Sequence, residues 1–441
     1  MEGYQSFAVT VQGGSHIKSE TVCQDFSNFL NDDSVSITVV ADGHGDSSCF
    51  RSDRGAMYAV NCAIKGIQQF VEEHEALFKQ GVFKKHDPPS HRELEKLIHE
   101  KLIKQTVASW NMLVMTDCQK NPFTEQELEK VSEKYRKRYD KDNPEYKDGK
   151  YVNKAYGTSL IAAAITPWYW FAFHIGDGRF SVLYKDGKGD QPVPWDPKCY
   201  LNVTTSICDD DILDRGEEGV RTFLSLHTDK EPPVAFFLCS DGIDDNYPAD
   251  EKENALHLYR LYREIAVTFA EDGYDSTCGE DGKSGQIKDL ANEFATKGKG
   301  DDTSLAGIVN IEELKKVAPE WKKNMEAAEA KRKKDKADAD EKAKEEAEAR
   351  KKADEEAAAR KAKREAEKEA EKETKAETEE NAKEGVPVKA EADVEVKAEP
   401  EKKDAEAAKE ETGTTTETKE AINQYNRQPE PQNAQNVNIE A

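Results

Sequence analysis

Three short apolar runs in this 441-residue chain meet acidic turns: Val40-Ala41-Asp42-Gly43-His44-Gly45, Leu238-Cys239-Ser240-Asp241-Gly242 and Gly300-Asp301-Asp302-Thr303-Ser304. A strand that empties into Asp-Gly sets a carboxylate at the edge of a sheet, and glycine lets a backbone carbonyl approach the same point. Carboxylates gathered at one edge bind hard divalent cations through oxygen. A fourth turn, Ile175-Gly176-Asp177-Gly178-Arg179, joins two strands as a hairpin. Near the N-terminus, Ser15-His16-Ile17-Lys18 and Cys23-Gln24-Asp25 add imidazole, ammonium and carboxylate groups. A single Asp-Gly is an ordinary turn. Three acidic clusters at strand ends, one carrying His44, point instead to metal-assisted chemistry with an imidazole able to move a proton near neutral pH.

Two other chemical patterns find no support. No cysteine is followed by Arg six positions later, so the nucleophilic cysteine loop of tyrosine phosphatases is absent. Gly282-Lys283-Ser284 ends like a P-loop, but Thr277 stands where the first Gly belongs and no strand precedes it. The Asp209-Asp210-Asp211 run reads as a solvated acidic loop.

The elements that must position these residues follow from pattern. Phe7 to Val11, Ser36 to Ala41, Ser159 to Ile165, Trp170 to Ile175, Phe180 to Tyr184, Val234 to Leu238 and Ser304 to Asn310 are short apolar or β-branched runs bounded by turns, and read as strands. Met57, Val60, Ile64, Ile67 and Val71 recur at helical spacing within Ser52 to His74. Glu93 to Val114, Thr124 to Tyr139, Ala255 to Ala270 and Gln286 to Thr296 read as further helices, with a loop from Glu271 to Ser284. Strand clusters interrupted by helix pairs, without regular βαβ alternation, predict an α+β fold with mostly antiparallel sheets.

In this order and spacing the motifs resemble the PP2C (PPM) family of metal-dependent serine/threonine protein phosphatases. The resemblance rests on Gln24-Asp25, Asp42-Gly43-His44-Gly45, Gly157-Thr158-Ser159, Gly176-Asp177-Gly178-Arg179, Ser240-Asp241-Gly242 and Asp301-Asp302-Thr303, and covers about residues 6 to 311. It implies a four-layer α-β-β-α sandwich of two antiparallel sheets flanked by helices, with a site for two Mn²⁺ or Mg²⁺ ions at one edge. It further implies that Asp42 bridges the ions and that the Gly43 carbonyl binds one of them. Asp241 and Asp301 are implied to complete the other shell, with Asp25 also in the metal cluster. Asp177, supported by Asp245, is implied to bind a weaker third ion, and His44 to act as general acid. The implied substrates are phosphoproteins. Many members have an acidic residue where Gln24 stands and an upstream Arg that grips the substrate phosphate, whereas here His16 and Lys18 are the nearby basic candidates. The Ser15-His16-Ile17-Lys18 and Gln24-Asp25 version is similar to a bacterial-type subgroup. The departures leave a second function class open, a weakly active PP2C-like module that regulates by binding phosphoproteins.

Composition divides the chain into three: a catalytic unit over 1–311, an Ala, Glu and Lys-rich helix over 312–384, and a disordered tail over 385–441. Between Glu326 and Glu384 there is no large apolar residue, so a coiled coil would have only an alanine seam. Asp340/Lys344, Glu346/Arg350, Glu348/Lys352, Glu356/Arg360 and Glu371/Lys375 set acid four residues before base, which predicts a single salt-sensitive helix from about Pro319 to about Glu380. The tail is free to serve as a spacer, as an arm for a protein partner or simply to solubilise the chain. A net charge of -25 argues against nucleic acid and anionic membrane as partners. Eight scattered cysteines without a CxxC pair, and no basic n-region or long apolar run at the N-terminus, predict a cytoplasmic protein with reduced thiols.

Overall fold

The computed structural model describes residues 3–81, 88–147, 149–196, 199 and 204–381. Ten strands build two sheets: β1 (Tyr4–Val11), β2 (Phe26–Asn31), β3 (Ser36–Ala41), β4 (Leu160–Ile165), β5 (Tyr169–Ile175), β6 (Arg179–Leu183), β7 (Gly189–Asp190), β8 (Arg221–Leu226), β9 (Ala235–Cys239) and β10 (Thr303–Asn310). One sheet has the order β1-β10-β9-β6-β7, the other β2-β3-β4-β5-β8. Every pairing is antiparallel.

Alternation along the strands shows why the sheets stack. Successive side chains point to opposite faces. Tyr169, Phe171, Phe173 and Ile175 of β5 join the core under the helices Ser52–Lys79 and Lys104–Lys120, while Trp170 and Ala172 enter the layer between the sheets. In β9, Phe236 and Leu238 meet them there, and Ala235, Phe237 and Cys239 face the helices Glu251–Asp272 and Gly285–Lys297. Strands buried on both faces read as unbroken apolar runs, and the result is the expected helix, sheet, sheet, helix layering.

Three expected elements differ. The stretch Thr124 to Tyr139 is not one helix: Glu125–Lys130, opened by a capping box between Thr124 and Glu127, stops at Val131, which is extended and buried. Short turns Glu133–Arg136 and Lys137–Tyr139 follow. Burial of Val131 and Tyr139 in one core outweighs helical propensity there. Within the expected loop Glu271 to Ser284 lies a one-turn helix, Tyr274–Cys278. The charged helix begins at Ile311, not Pro319, and runs to Asn381 with Pro319 inside it. Ile311, Leu314, Ala318 and Trp321, at helical spacing, are buried against the β1/β10/β9 side of the core, and the Trp321 indole N–H donates to the Lys185 carbonyl at 3.1 Å. That packing offsets the hydrogen bond that proline cannot make. Core residues therefore continue past residue 311.

The chain divides into two units, Met1–Glu345 and Glu346–Ala441. In the second, the described residues are helical to Asn381 and their side chains through Thr374 are exposed. The expected disordered segment 385–441 lies outside the described residues. No described helix is long and apolar enough to cross a membrane.

Candidate active site

Antiparallel pairing brings the strand ends together. Where β9 ends, β10 and β6 begin, with Cys239 opposite Leu305 and Arg179. Where β3 ends, β2 begins, with Ala41 opposite Phe26. Asp241, Asp301 and Asp177 therefore leave one edge of the first sheet, and Asp42 and Asp25 the matching edge of the second. They line a cavity of ≈ 1170 Å³ together with Gly43, His44, His16 and Asp245. Of the sequence-predicted residues only Lys18 is left out. It is exposed on the short helix Gly14–Ser19, and the structure does not bring it to the cavity.

The backbone around Asp42 is held tightly. Its carbonyl accepts from the Thr158 hydroxyl at 2.7 Å and the Ser159 amide at 2.8 Å, which is what Gly157-Thr158-Ser159 is for. A side chain at Gly43 would meet the Gln24 and Ser52 carbonyls at 2.6 and 2.8 Å, and one at Gly157 would meet the His44 ring at 3.0 Å. The Gln24 amide nitrogen donates to the Ser52 hydroxyl at 2.6 Å and the His44 carbonyl at 3.3 Å, so Gln24 braces the His44 loop. His16 faces the acidic turn, with Nδ1 2.9 Å from Asp302 and Nε2 3.7 Å from Asp301.

The carboxylates crowd one another. Burial raises Asp42 well above the ordinary range, and the charges of Asp25, Asp241 and Asp177 raise it further. Burial and Asp177 do the same to Asp241, whose carboxyl is in hydrogen-bonding contact with Asp42. Asp25 is pushed up to about 7, by burial and then by Asp302 and Asp301, against hydrogen bonds from Ser240 and Ser304. Its Oδ2 is buried with no hydrogen-bond partner. Burial lowers His44, opposed by Asp177 and Asp209, and its Nε2 also lacks a partner.

These residues fit a divalent cation. Hard oxygen donors, crowded together at electrostatic cost and including an orphaned oxygen on buried Asp25, are what a cation would stabilise. Among the described residues no three acidic, His or Cys side chains already close on one point. Ions such as Mg²⁺ keep several waters and use one or two carboxylates, so such closure is not required.

Several residues were missed by sequence reading. Asp302, buried, accepts from the Gly13 and Gln24 amides at 2.7 and 2.6 Å and thereby pins the segment carrying His16 and Asp25. Arg179, Trp195 and Lys299 line the cavity. Arg179 pairs with buried Asp244 at 2.7 Å, and Lys299 with Asp245 at 3.1 Å. The Asp301-Asp302 and Gly178-Arg179 motifs held two of these signals.

Two stacked antiparallel sheets thus bring Asp25, Asp42, Asp177, Asp241, Asp301, His16 and His44 to one edge cavity, a lining suited to a divalent cation. The family model for protein phosphatase 2C matches residues 12–275, more than half of the chain. The chain belongs to the protein phosphatase 2C family and is by class a protein-serine/threonine phosphatase, and divalent-metal dependence goes with that family. No curated protein matches the sequence significantly. Among solved structures, similar ones include the PstP catalytic domain in complex with two manganese ions (13% identity, 69% of this chain, 97% of that one, TM-score 0.35). Others are Stp1 from Staphylococcus aureus (12%, 69% and 94%, TM-score 0.37) and a C. elegans sex determining protein (12%, 72% and 68%, TM-score 0.41). The family assignment rests on the match over residues 12–275.

Proposed function

We propose that the chain hydrolyses phosphoserine and phosphothreonine in proteins at this cavity, using two Mn²⁺ or Mg²⁺ ions, with a weaker third beside Asp177 and Asp245. The observation that carries the reading is the contact between the half-buried Asp42 and Asp241 carboxyls, with Asp25, Asp177 and Asp301 on the same cavity. When bound, divalent ions neutralise the phosphate dianion and generate a nucleophile from water near neutral pH. Asp42, with its two carboxylate oxygens, the Gly43 carbonyl, Asp241, Asp301 and Asp25 would hold them. His44 donates a proton from its unpartnered Nε2 to the leaving serine or threonine oxygen. Burial favours its neutral form, and an arriving dianion favours the protonated one.

The supporting frame is acidic and its eight cysteines are free, which accords with phosphoprotein substrates in a reducing cytoplasm and not with nucleic acid. The C-terminal helix is assigned to a spacer or partner-binding role. A second reading, a weakly active phosphoprotein-binding module, draws on Gln24, whose amide is committed to bracing the His44 loop.

Phosphate release from a phosphothreonine peptide with Mn²⁺, with and without chelator, separates the two: turnover that the chelator abolishes supports the enzyme, and binding without turnover supports the module. His44→Ala should lower turnover of a phosphoserine peptide by about 10²–10⁴-fold and affect p-nitrophenyl phosphate far less, because a phenolate leaves without a proton. Equal losses on both substrates would remove His44 from the proton-donor role.

A further inference from the structure

Asp177 sits at the tip of the β5–β6 hairpin, flanked by Gly176 and Gly178 with φ of 94° and 81°. Two such glycines leave the tip without side chains to fix it. What holds it is a ring of buried groups. His174 and Arg221 are register partners on β5 and β8, each 3% exposed. The Arg221 guanidinium donates to the Gly176 carbonyl at 2.6 Å, and His174 Nε2 bonds the Asp177 carbonyl at 2.5 Å. On the other side, the Arg179 guanidinium donates to the Gly178 carbonyl at 2.6 Å.

Both arginines also grip the cavity wall. Arg221 is 3.6 Å from the buried Asp196 carboxylate, and Arg179 lies over the Trp195 ring, 3.4 Å from its centre. Trp195 is itself fixed, since its indole N–H donates to Gln191 at 2.9 Å and Gln191 donates to Ser181 at 3.2 Å. Trp195 and Asp196 line the same cavity as Asp177. Burying the Arg221 guanidinium within range of the Arg179 charge is costly. The Arg221 Nε–H even lacks a partner. Such a cost is borne where a hairpin must be held in one place.

We propose that Arg221 is a positioning residue for Asp177 and, with Arg179, couples the hairpin to the wall segment Trp195-Asp196. The proposal rests on the reading above that Asp177 holds a cation. A substrate that moves this wall then moves Asp177, so wall contacts set the affinity of the cation held there.

Two measurements test it. In metal-free protein, hydrogen exchange across residues 176–178 should quicken in Arg221→Gln and also in Asp196→Asn, which loosens the wall while leaving the Gly176 bond its donor. In the full chain, Mn²⁺ titration followed by the resonance of free Mn²⁺ should show the weakest site losing about 10-fold in affinity in Arg221→Gln. Asp177→Asn should lose at least as much, and adding Arg221→Gln to it should lose no more. Additive losses, or unchanged exchange at 176–178 in either variant, would overturn the proposal. If Arg221→Gln does not fold, Asp196→Asn decides by the exchange measurement alone. Because exchange is read without metal, wild-type protein that bound no Mn²⁺ would refute the catalytic reading separately.

Discussion

Replacing Asp25 by Asn should make the metal-free protein more stable at pH 8. The carboxyl is fully buried, carries an oxygen with no partner and is pushed from its ordinary 3.8 to about 7. At about 1.4 kcal/mol per pH unit, ionised Asp25 costs the metal-free fold on the order of 4 kcal/mol. That figure is already net of the bonds from Ser240 and Ser304, which favour the ionised form, and Asn removes it. The gain is on the order of 4 kcal/mol, several degrees in Tm for a domain of this size. The sign with pH follows from linkage: between about pH 4 and 7 the folded state binds the extra proton, so wild-type stability falls as pH rises through that window. The difference between variant and wild type should therefore grow from pH 4 to 7 and stay constant above it. Added Mn²⁺ should reverse the order, because it stabilises whichever form binds it more tightly. Denaturant melts of both proteins in chelator and in Mn²⁺, at pH 5, 6, 7 and 8, give the comparison. A variant less stable than wild type in chelator at pH 8, or a difference independent of pH, would show that Asp25 is not held under electrostatic cost.

Trp321→Ala should destabilise the folded unit by about 3–5 kcal/mol in a denaturant melt, since Trp321 is 4% exposed. By the same packing, a chain ending at Met325 should keep the full thermal midpoint and one ending at Asn310 should not. Burial alone would raise Glu127, but hydrogen bonds from Arg51 and Thr124 overcome it and pull the carboxyl to about 2. Wild-type protein should thus lose about 1–2 kcal/mol, after screening by its partial exposure, as pH falls from 5 toward 2, and Glu127→Gln should lack that slope in acid melts. Gly43→Ala forces a methyl to within 2.6 Å of the Gln24 carbonyl. It should cost about 1–3 kcal/mol in stability and weaken Mn²⁺ binding in a calorimetric titration.

The sequence alone marked out the carboxylates that the fold brings to one cavity and the layers that carry them. Asp42, Asp241 and Asp301 were legible because each adjoins an apolar strand, and a strand boundary is a local signal. β4, β5 and β9 were legible because burial on both faces leaves an almost wholly apolar run, and β3 because Ile37, Thr38, Val39 and Val40 are β-branched. β2 and β8 were not, because they are the two edge strands of their sheet and carry polar residues such as Ser27, Asn28, Thr222 and Ser225. Only the tertiary structure decided that His16 faces Asp302 while Lys18 turns away, since both lie on one six-residue helix and neighbouring positions point in different directions. It likewise decided that helix Ile311–Asn381 passes through Pro319, because the burial of Leu314 and Trp321 is a long-range gain set against a local penalty. Arg179 and Arg221 lie 42 positions apart and meet around one hairpin only because β5 pairs with β8 and β6 continues from β5. Pairing over such distances is fixed by the sheet as a whole, and no short stretch of sequence contains it.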